Sequence, residues 1–136
     1  MNRTYRDVVV WQKSMELVSE IYRITTDFPK TEIYGITSQM RRAAISIPSN
    51  LAEGQARYHP RDFLRFIGHA RGSLVELETQ IMISNDLGYC SAETRDNLLS
   101  RTAHIGALMN RLYSAVEWRT ENGERRTENR SLRTEN

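Results

Sequence analysis

The chain has 136 residues, of which 39% are hydrophobic and 26% are charged, and its formal net charge at pH 7 is +2. This size and composition predict one soluble domain with a single apolar core. No apolar run is long enough to span a bilayer or to act as a secretory signal, so we expect a cytoplasmic protein. The single cysteine, Cys90, excludes an internal disulfide and has no cysteine or histidine cluster beside it for zinc.

Apolar residues in the first half of the chain recur every three or four positions, which predicts two amphipathic helices. The expected core stripes are Val8, Trp11, Met15, Val18, Tyr22 and Thr25 in the first helix and Ile36, Met40, Ala44, Ile47 and Leu51 in the second. Pro29 ends the first helix, whereas Pro48 lies inside the second. Because proline lacks an N–H and its ring clashes with the carbonyl of Ala44, we expect the second helix to kink near Ile47.

The second half of the chain predicts two more helices with clear end signals. Pro60 suits the first turn of the third helix, Gly88 suits a left-handed cap after it, and Ser91 suits the N-cap of the fourth. Their core stripes are Phe63, Ile67, Ala70, Leu74, Leu77 and Ile81, and Leu98, Thr102, Ile105, Met109, Leu112 and Val116. With no strand pattern, the sequence predicts an all-α fold, an antiparallel up-down-up-down four-helix bundle over residues 1–118.

The end of the chain repeats the tetrapeptide RTEN at Arg119–Asn122, Arg126–Asn129 and Arg133–Asn136. A seven-residue repeat is typical of coiled coils, but apart from Leu132 it contains no large apolar residue that could form a seam. The sequence therefore predicts a disordered, solvated tail over residues 119–136.

Catalytic and cofactor motifs are missing from the sequence. The three histidines, His59, His69 and His104, include no Glu-x-x-His pair of the kind that ligates metals in bundles. There is no G-x-S-x-G elbow and no glycine cluster for a phosphate loop. We expect a protein that is not an enzyme and that has no catalytic, cofactor-binding or metal-binding residues.

A polar stripe lies beside the core stripe in both the second and the third helix. Small neighbours would let these helices approach closely and bring Arg42 within reach of Glu53 or Glu76. The predicted structural polar network consists of Arg42, Ser46, Asn50, Glu53, Ser73 and Glu76. A subunit contact and a ligand site are the alternatives for the same residues.

Several stretches of the chain match motifs of a known family. They are YRDVVVWQKSMEL near the start, FP after the first helix, EIYGITSQMRRAAISIPSNLAEG at residues 32–54, ARGSLVELETQI at residues 70–81 and LGY at residues 87–89. In these motifs and their order, the chain resembles the four-helix-bundle proteins encoded by intervening sequences in bacterial large-subunit ribosomal RNA genes, which are often labelled ribosomal proteins. The resemblance spans Tyr5 to Val116 and implies a bacterial, cytosolic bundle without known catalysis that commonly forms a homopentamer.

The chain is also remotely similar in fold to the accessory protein of diversity-generating retroelements, a basic pentamer that binds a reverse transcriptase and nucleic acid. That similarity implies RNA or a reverse-transcriptase-type protein as a partner. Candidate phosphate-binding residues are Arg57, Arg61, Arg65 and Arg71, where the second helix turns into the third. The alternatives are a solvated face with no nucleic-acid partner and an oligomeric scaffold that binds only proteins.

Hydrophobic residues outside the expected core stripes predict self-association. The candidate subunit-interface residues are Val9, Val10, Leu17 and Ile21 in the first helix and Leu99, Leu108 and Tyr113 in the fourth. A soluble monomer rarely leaves such a patch uncovered, and repeated contacts between copies usually close into a symmetric ring. We therefore expect a homo-oligomer.

Overall fold

The computed structural model describes residues 4–134, and these residues form four α-helices and two short 3₁₀ turns. The helices are α1 (Val9–Thr25), α2 (Ile36–Gln55), α3 (Pro60–Asp86) and α4 (Ala92–Thr134). The 3₁₀ turns lie at Tyr5–Asp7 and Lys30–Glu32. The absence of any strand in the described range confirms the predicted all-α, four-helix fold. No helix between residues 4 and 134 has both the length and the apolar character needed to cross a bilayer.

Consecutive helices pack side by side and run in opposite directions. Between α2 and α3, Met40 lies next to Ser84, Ser46 next to Ser73, and Gly54 next to Phe66. Between α3 and α4, Leu74 lies next to Gly106, and Glu78 next to Thr102. Residue numbers rise along one helix as they fall along its neighbour in each series. The bundle closes where α1 packs against both α2 and α4, with the α2–α3 contact the most extensive and the α1–α4 contact the least.

Local signals set the helix ends where the sequence predicts them. Pro60 occupies the first turn of α3, Gly88 has a φ of 77° after the end of α3, and the Ser91 hydroxyl accepts a hydrogen bond from the Thr94 N–H at 3.1 Å. α2 continues through Pro48 to Gln55, and a bend at Pro48 stays a prediction.

The predicted core stripes of α2, α3 and α4 are nearly all buried. The buried members are Met40, Ala44, Ile47, Leu51, Phe63, Ile67, Ala70, Leu74, Leu77, Ile81, Leu98, Thr102, Ile105, Met109 and Val116. Ile36 and Leu112 are partly buried and pack against this core. The spacing of apolar residues in these three helices therefore identified the faces that meet inside the bundle.

The structure corrects the predicted orientation of α1. Val10, Leu17 and Ile21, predicted as subunit-interface residues, are at most 3% exposed in the core, whereas Met15 and Tyr22, predicted as core residues, are 43% and 40% exposed. The helix carries two adjacent apolar stripes, and each has helical spacing. Because both stripes have the same spacing, periodicity alone does not identify which of them faces the core of the bundle.

The structure also differs from the prediction of a disordered tail over residues 119–136. α4 continues through residue 118 without interruption and includes the repeats as far as Thr134, while residues 135 and 136 lie outside the described range. Arginine and glutamate are good helix formers, and a helix that is already formed extends without a new nucleation cost. Most side chains of this extension are exposed, as expected for a repeat without an apolar seam.

Truncation after Trp118 is expected to change the free energy of unfolding by no more than about 1 kcal/mol, because the extension adds only surface contacts such as the Arg61–Glu124 ion pair. Urea unfolding followed by circular dichroism measures this. The same spectra test the helix itself, because the truncated chain should lose helical ellipticity in proportion to the residues removed. Unchanged total ellipticity would instead show that the repeats are not helical in solution.

Candidate functional site

α2 borders two surface depressions of opposite chemical character. Between α2 and α3 lies an open cleft of about 400 Å³, here called the polar seam, lined by Gln39, Arg42, Ala43, Ser46, Ser73 and Glu76. Between α1 and α2 lies a depression of about 310 Å³, here called the apolar groove, lined by Tyr5, Trp11, Met15, Val18, Ile45, Pro48, Ser49 and Ala52.

Hydrogen bonds in the polar seam centre on the hydroxyl of Ser46. It accepts from Asn50 Nδ2 at 2.9 Å and from the Ser73 hydroxyl at 2.8 Å, and the Asn50 amide also donates to the Ser46 carbonyl at 2.8 Å. The Ser46–Ser73 bond joins α2 to α3. Three residues of the predicted polar network therefore form one hydrogen-bonded group across the two helices.

The structure does not bring Arg42 into this network. Arg42 is exposed and forms no ion pair with any carboxylate of residues 4–134. Glu53 pairs with Arg57, with 3.1 Å between Oε1 and Nη2, and Glu76 accepts a hydrogen bond from Gln80 at 3.3 Å. Arg42 and Glu76 line an open cleft, where water solvates both charges and a direct ion pair contributes little.

Arg42→Met is accordingly expected to change the free energy of unfolding by less than about 0.5 kcal/mol. Ser46→Ala is expected to cost about 1–2 kcal/mol, because the partly buried Asn50 and Ser73 donors lose their shared acceptor. Urea denaturation of both variants measures the difference. A cost of about 3 kcal/mol or more for Arg42→Met would show that a buried ion pair exists after all.

Two of the four predicted phosphate-binding arginines lie against one aromatic ring at the α2–α3 turn. The guanidinium carbons of Arg57 and Arg65 are 4.9 Å and 5.0 Å from the centroid of the Phe66 ring. Each also has a carboxylate neighbour, Glu53 for Arg57 and, at 3.8 Å, Asp62 for Arg65. These contacts satisfy both cations within the chain.

The other two predicted arginines have different surroundings. Arg61 forms an ion pair with Glu124 in the α4 extension, at the same end of the bundle as Arg57 and Arg65. Arg71 lies farther along α3 in a groove with Tyr113 of α4, and no ion pair to it forms within residues 4–134. The structure therefore brings three of the predicted arginines together, pairs each with a carboxylate, and separates the fourth from them.

The apolar groove is a hydrophobic face that the chain leaves uncovered. Met15 and Ile45 are 43% and 41% exposed, and Trp11 and Val18 are only partly buried. Pro48 forms part of the floor and is itself buried. The α1 members of this face were predicted core residues. Trp11 and Val18 do pack against the edge of the core, as Val8 does. Thr25 of the same stripe is buried, whereas Met15 is exposed.

The predicted subunit-interface residues outside the core divide into two kinds. Leu99 and Leu108 are partly buried and pack against the hydrophobic core. Val9 and Tyr113 are 53% and 39% exposed and lie on α1 and α4. These two do not line the apolar groove, so the exposed apolar surface that the structure shows differs from the predicted one.

Arg41 lies one helical turn before Ile45, next to the lining of the apolar groove, and was not among the predicted site residues, which include its neighbour Arg42. The Arg41 Nε donates to the Thr25 hydroxyl at 2.9 Å, and its guanidinium carbon is 4.5 Å from the centroid of the Tyr22 ring. Arg41 is partly buried and has no ion pair within residues 4–134. The available signal was its position four residues before Ile45, which places both on the α1 side of α2.

Two observations concern metal-ligating and nucleophilic side chains. Between residues 4 and 134, no three His, Cys, Asp or Glu side chains are placed to hold a metal ion. Burial raises the pKa of the Cys90 thiol, so the reactive thiolate is a small fraction at neutral pH.

Comparisons with known proteins agree with this fold. No curated protein sequence matches the chain. A crystal structure from Bacteroides thetaiotaomicron, described as a protein with unknown function from the S23 ribosomal protein family, shares the fold with a TM-score of 0.70 and 20% identity over 77% of this chain and 98% of that one. The family model for the 23S rRNA-intervening sequence protein matches residues 6–111. The chain thus belongs to the 23S rRNA-intervening sequence protein family.

Proposed function

We propose that this protein works by binding rather than by catalysis, as a bundle that assembles with copies of itself. The observation that carries the proposal is the apolar groove, with Met15 and Ile45 more than two-fifths exposed beside Trp11. Apolar surface removed from water contributes about 25 cal/mol per Å². A contiguous exposed face of this kind marks an interaction site in a soluble protein, and another copy is the partner always present at the concentration of the chain.

The proposed assembly is a closed ring. The groove lies on the α1–α2 side of the bundle, so a copy that docks there with a different face leaves its own groove open for the next copy. Repetition of one such contact gives a ring when the rotation closes. Five subunits is the number implied by the resemblance to the rRNA intervening-sequence proteins, and the same resemblance supports the cytoplasm as the site of action.

RNA or a ribonucleoprotein, including a reverse-transcriptase-type protein, is the second candidate partner. Nucleic-acid affinity comes largely from cations that replace the counterions of phosphates. Arg57, Arg61 and Arg65 already have carboxylate partners, and the net charge of the chain is only +2. These features favour a protein partner over RNA.

Size exclusion with light scattering at micromolar concentration tests the proposal. We expect a multiple of the 15.8 kDa chain mass and an absorbance spectrum free of nucleic acid. A single-chain mass would contradict self-assembly, whereas a nucleic-acid absorbance that survives nuclease and high-salt washing would favour the RNA alternative.

Variants within the groove test whether this face carries the assembly. The double variant Met15→Glu/Ile45→Glu should keep the helical circular dichroism spectrum and lower the assembled mass, because both side chains are exposed and two charges would have to be buried in the contact. Ala103→Glu/Ala107→Glu, at two exposed positions of α4 outside the groove, adds the same two charges and is the matched control. Equal masses for the groove variant and the control would show that assembly uses another face.

A further inference from the structure

A row of exposed side chains on α3, here called the α3 ridge, has the same residue spacing as the α2 side chains along the apolar groove. It consists of Val75, Thr79, Met82 and Asp86, spaced by four, three and four residues, so that all four lie on one face of α3. Val75 is 55% exposed and Met82 is 45% exposed, and no contact inside residues 4–134 covers them. The ridge thus presents two exposed apolar side chains, Val75 and Met82, with a threonine between them and an acidic residue at its end.

The α2 wall of the apolar groove has the complementary order. Ile45, Pro48 and Ala52 line the groove, and Arg41 lies one turn before Ile45, just beyond the lining, where it contacts Thr25 and Tyr22 of α1. These four residues are also spaced by four, three and four positions along the α1 side of α2. At a rise of about 1.5 Å per residue, both rows are about 16 Å long. When the two helices lie antiparallel, Asp86 falls opposite Arg41, Met82 opposite Ile45, Thr79 opposite Pro48, and Val75 opposite Ala52.

The charged ends of the two rows are complementary and both are available. The Nε of Arg41 donates to Thr25, and its two terminal nitrogens form no hydrogen bond within residues 4–134. Asp86 is exposed and forms no ion pair within residues 4–134. The charge of Asp86 does act on the nearby Arg95, but that guanidinium already bonds Asp96 and Asn85, at 2.9 Å and 2.8 Å.

We propose that the α3 ridge of one copy docks in the apolar groove of the next, with Asp86 of the first paired with Arg41 of the second. This inference rests on the proposed self-assembly and names the two surfaces that meet. The contact is heterologous, because groove and ridge are different surfaces of the same chain. An open chain of docked copies therefore keeps one free groove at one end and one free ridge at the other until the ring closes. The apolar pairs supply the buried area, and the ion pair selects this register over slipped ones.

Charge reversal tests the pairing. Asp86→Arg should keep the fold, since position 86 is exposed and a cation is favourable at the C-terminus of a helix. It should raise the dissociation constant between copies by about 10-fold or more, because Arg41 would then meet a like charge. Arg41→Glu should do the same, and the double variant Arg41→Glu/Asp86→Arg should regain most of the lost affinity. Glu117→Arg, at an exposed position outside both rows, controls for the change in net charge.

The measurement is the mass of each variant by light scattering over a dilution series, with circular dichroism to check the fold. Because Arg41→Glu also loses the Thr25 and Tyr22 contacts, Met82→Glu provides a second ridge variant that leaves the groove intact and should weaken assembly equally. If the unaltered chain assembles and both Asp86→Arg and Met82→Glu assemble as well as Glu117→Arg, the docking is overturned while self-assembly stands. A monomeric unaltered chain overturns self-assembly itself.

Discussion

Leu17→Ala is expected to lower the free energy of unfolding by about 2–5 kcal/mol, the usual cost of removing a buried leucine side chain from a close-packed core. Leu17 is 1% exposed and lies on the α1 face that meets the other helices, together with Val10 and Ile21. Urea unfolding measures the loss. Apparent stability rises when copies associate, so all variants should be compared at one protein concentration low enough to keep them monomeric.

Met15→Ala is the matched control, because Met15 lies two residues from Leu17 on the same helix but is 43% exposed. Its expected cost in the monomer is less than about 0.5 kcal/mol. The same substitution should weaken assembly, since Met15 lines the apolar groove. A large loss for Met15→Ala with a small loss for Leu17→Ala would mean that α1 is rotated about its axis, with the Trp11–Met15–Val18 stripe in the core.

Gly54→Ala is expected to destabilise the fold by about 1–3 kcal/mol, although alanine is the better helix former. A Cβ at position 54 would lie 2.7 Å from the Cβ of Phe66 and 3.0 Å from Cδ1 of Phe63. The Phe66 Cβ is attached directly to the backbone of α3 and cannot move without it. The methyl group would therefore push α2 and α3 apart at the point where Arg57 and Arg65 pack on the Phe66 ring.

Gly72→Ala should have the opposite effect. Gly72 is in the middle of α3, and no heavy atom lies within 4 Å of the position that its Cβ would take. The gain in helix propensity is then unopposed and should stabilise the chain by about 0.5–1 kcal/mol. Thermal or urea unfolding of both variants gives the comparison. Stabilisation by Gly54→Ala of the same size would show that the two helices are farther apart than the structure has them.

Hydrogen bonding and charge in the candidate site were predictable only in part. The polar stripes of α2 and α3 indicated that Ser46 and Ser73 would meet, and they share a 2.8 Å hydrogen bond. The same stripes did not reveal that Arg42 points to solvent or that its neighbour Arg41 borders the apolar groove. Adjacent helical positions are about 100° apart, so Arg41 and Arg42 lie on different faces of α2. Which neighbouring helix packs beside each face depends on the tertiary arrangement.

The amino-acid sequence by itself determined the number of helices, the ends of the first three, the start of the fourth and the inward faces of three of them. These properties depend on interactions within a few residues, such as proline in the first turn at Pro60, the left-handed backbone at Gly88 and the Ser91 cap. In α2, α3 and α4 the main apolar stripe predicted the buried face, so periodicity was sufficient.

Only the tertiary structure decided the orientation of α1 and the extent of α4. α1 has two apolar stripes with the same period, and the choice between them depends on close packing against residues distant in sequence. The repeats after residue 118 have no apolar seam of their own, and their helical state in the structure follows from continuity with a helix whose earlier turns the core already holds. The orientation of α1 thus depends on contacts that no local pattern encodes, and the extension of α4 depends on earlier turns that such contacts already hold.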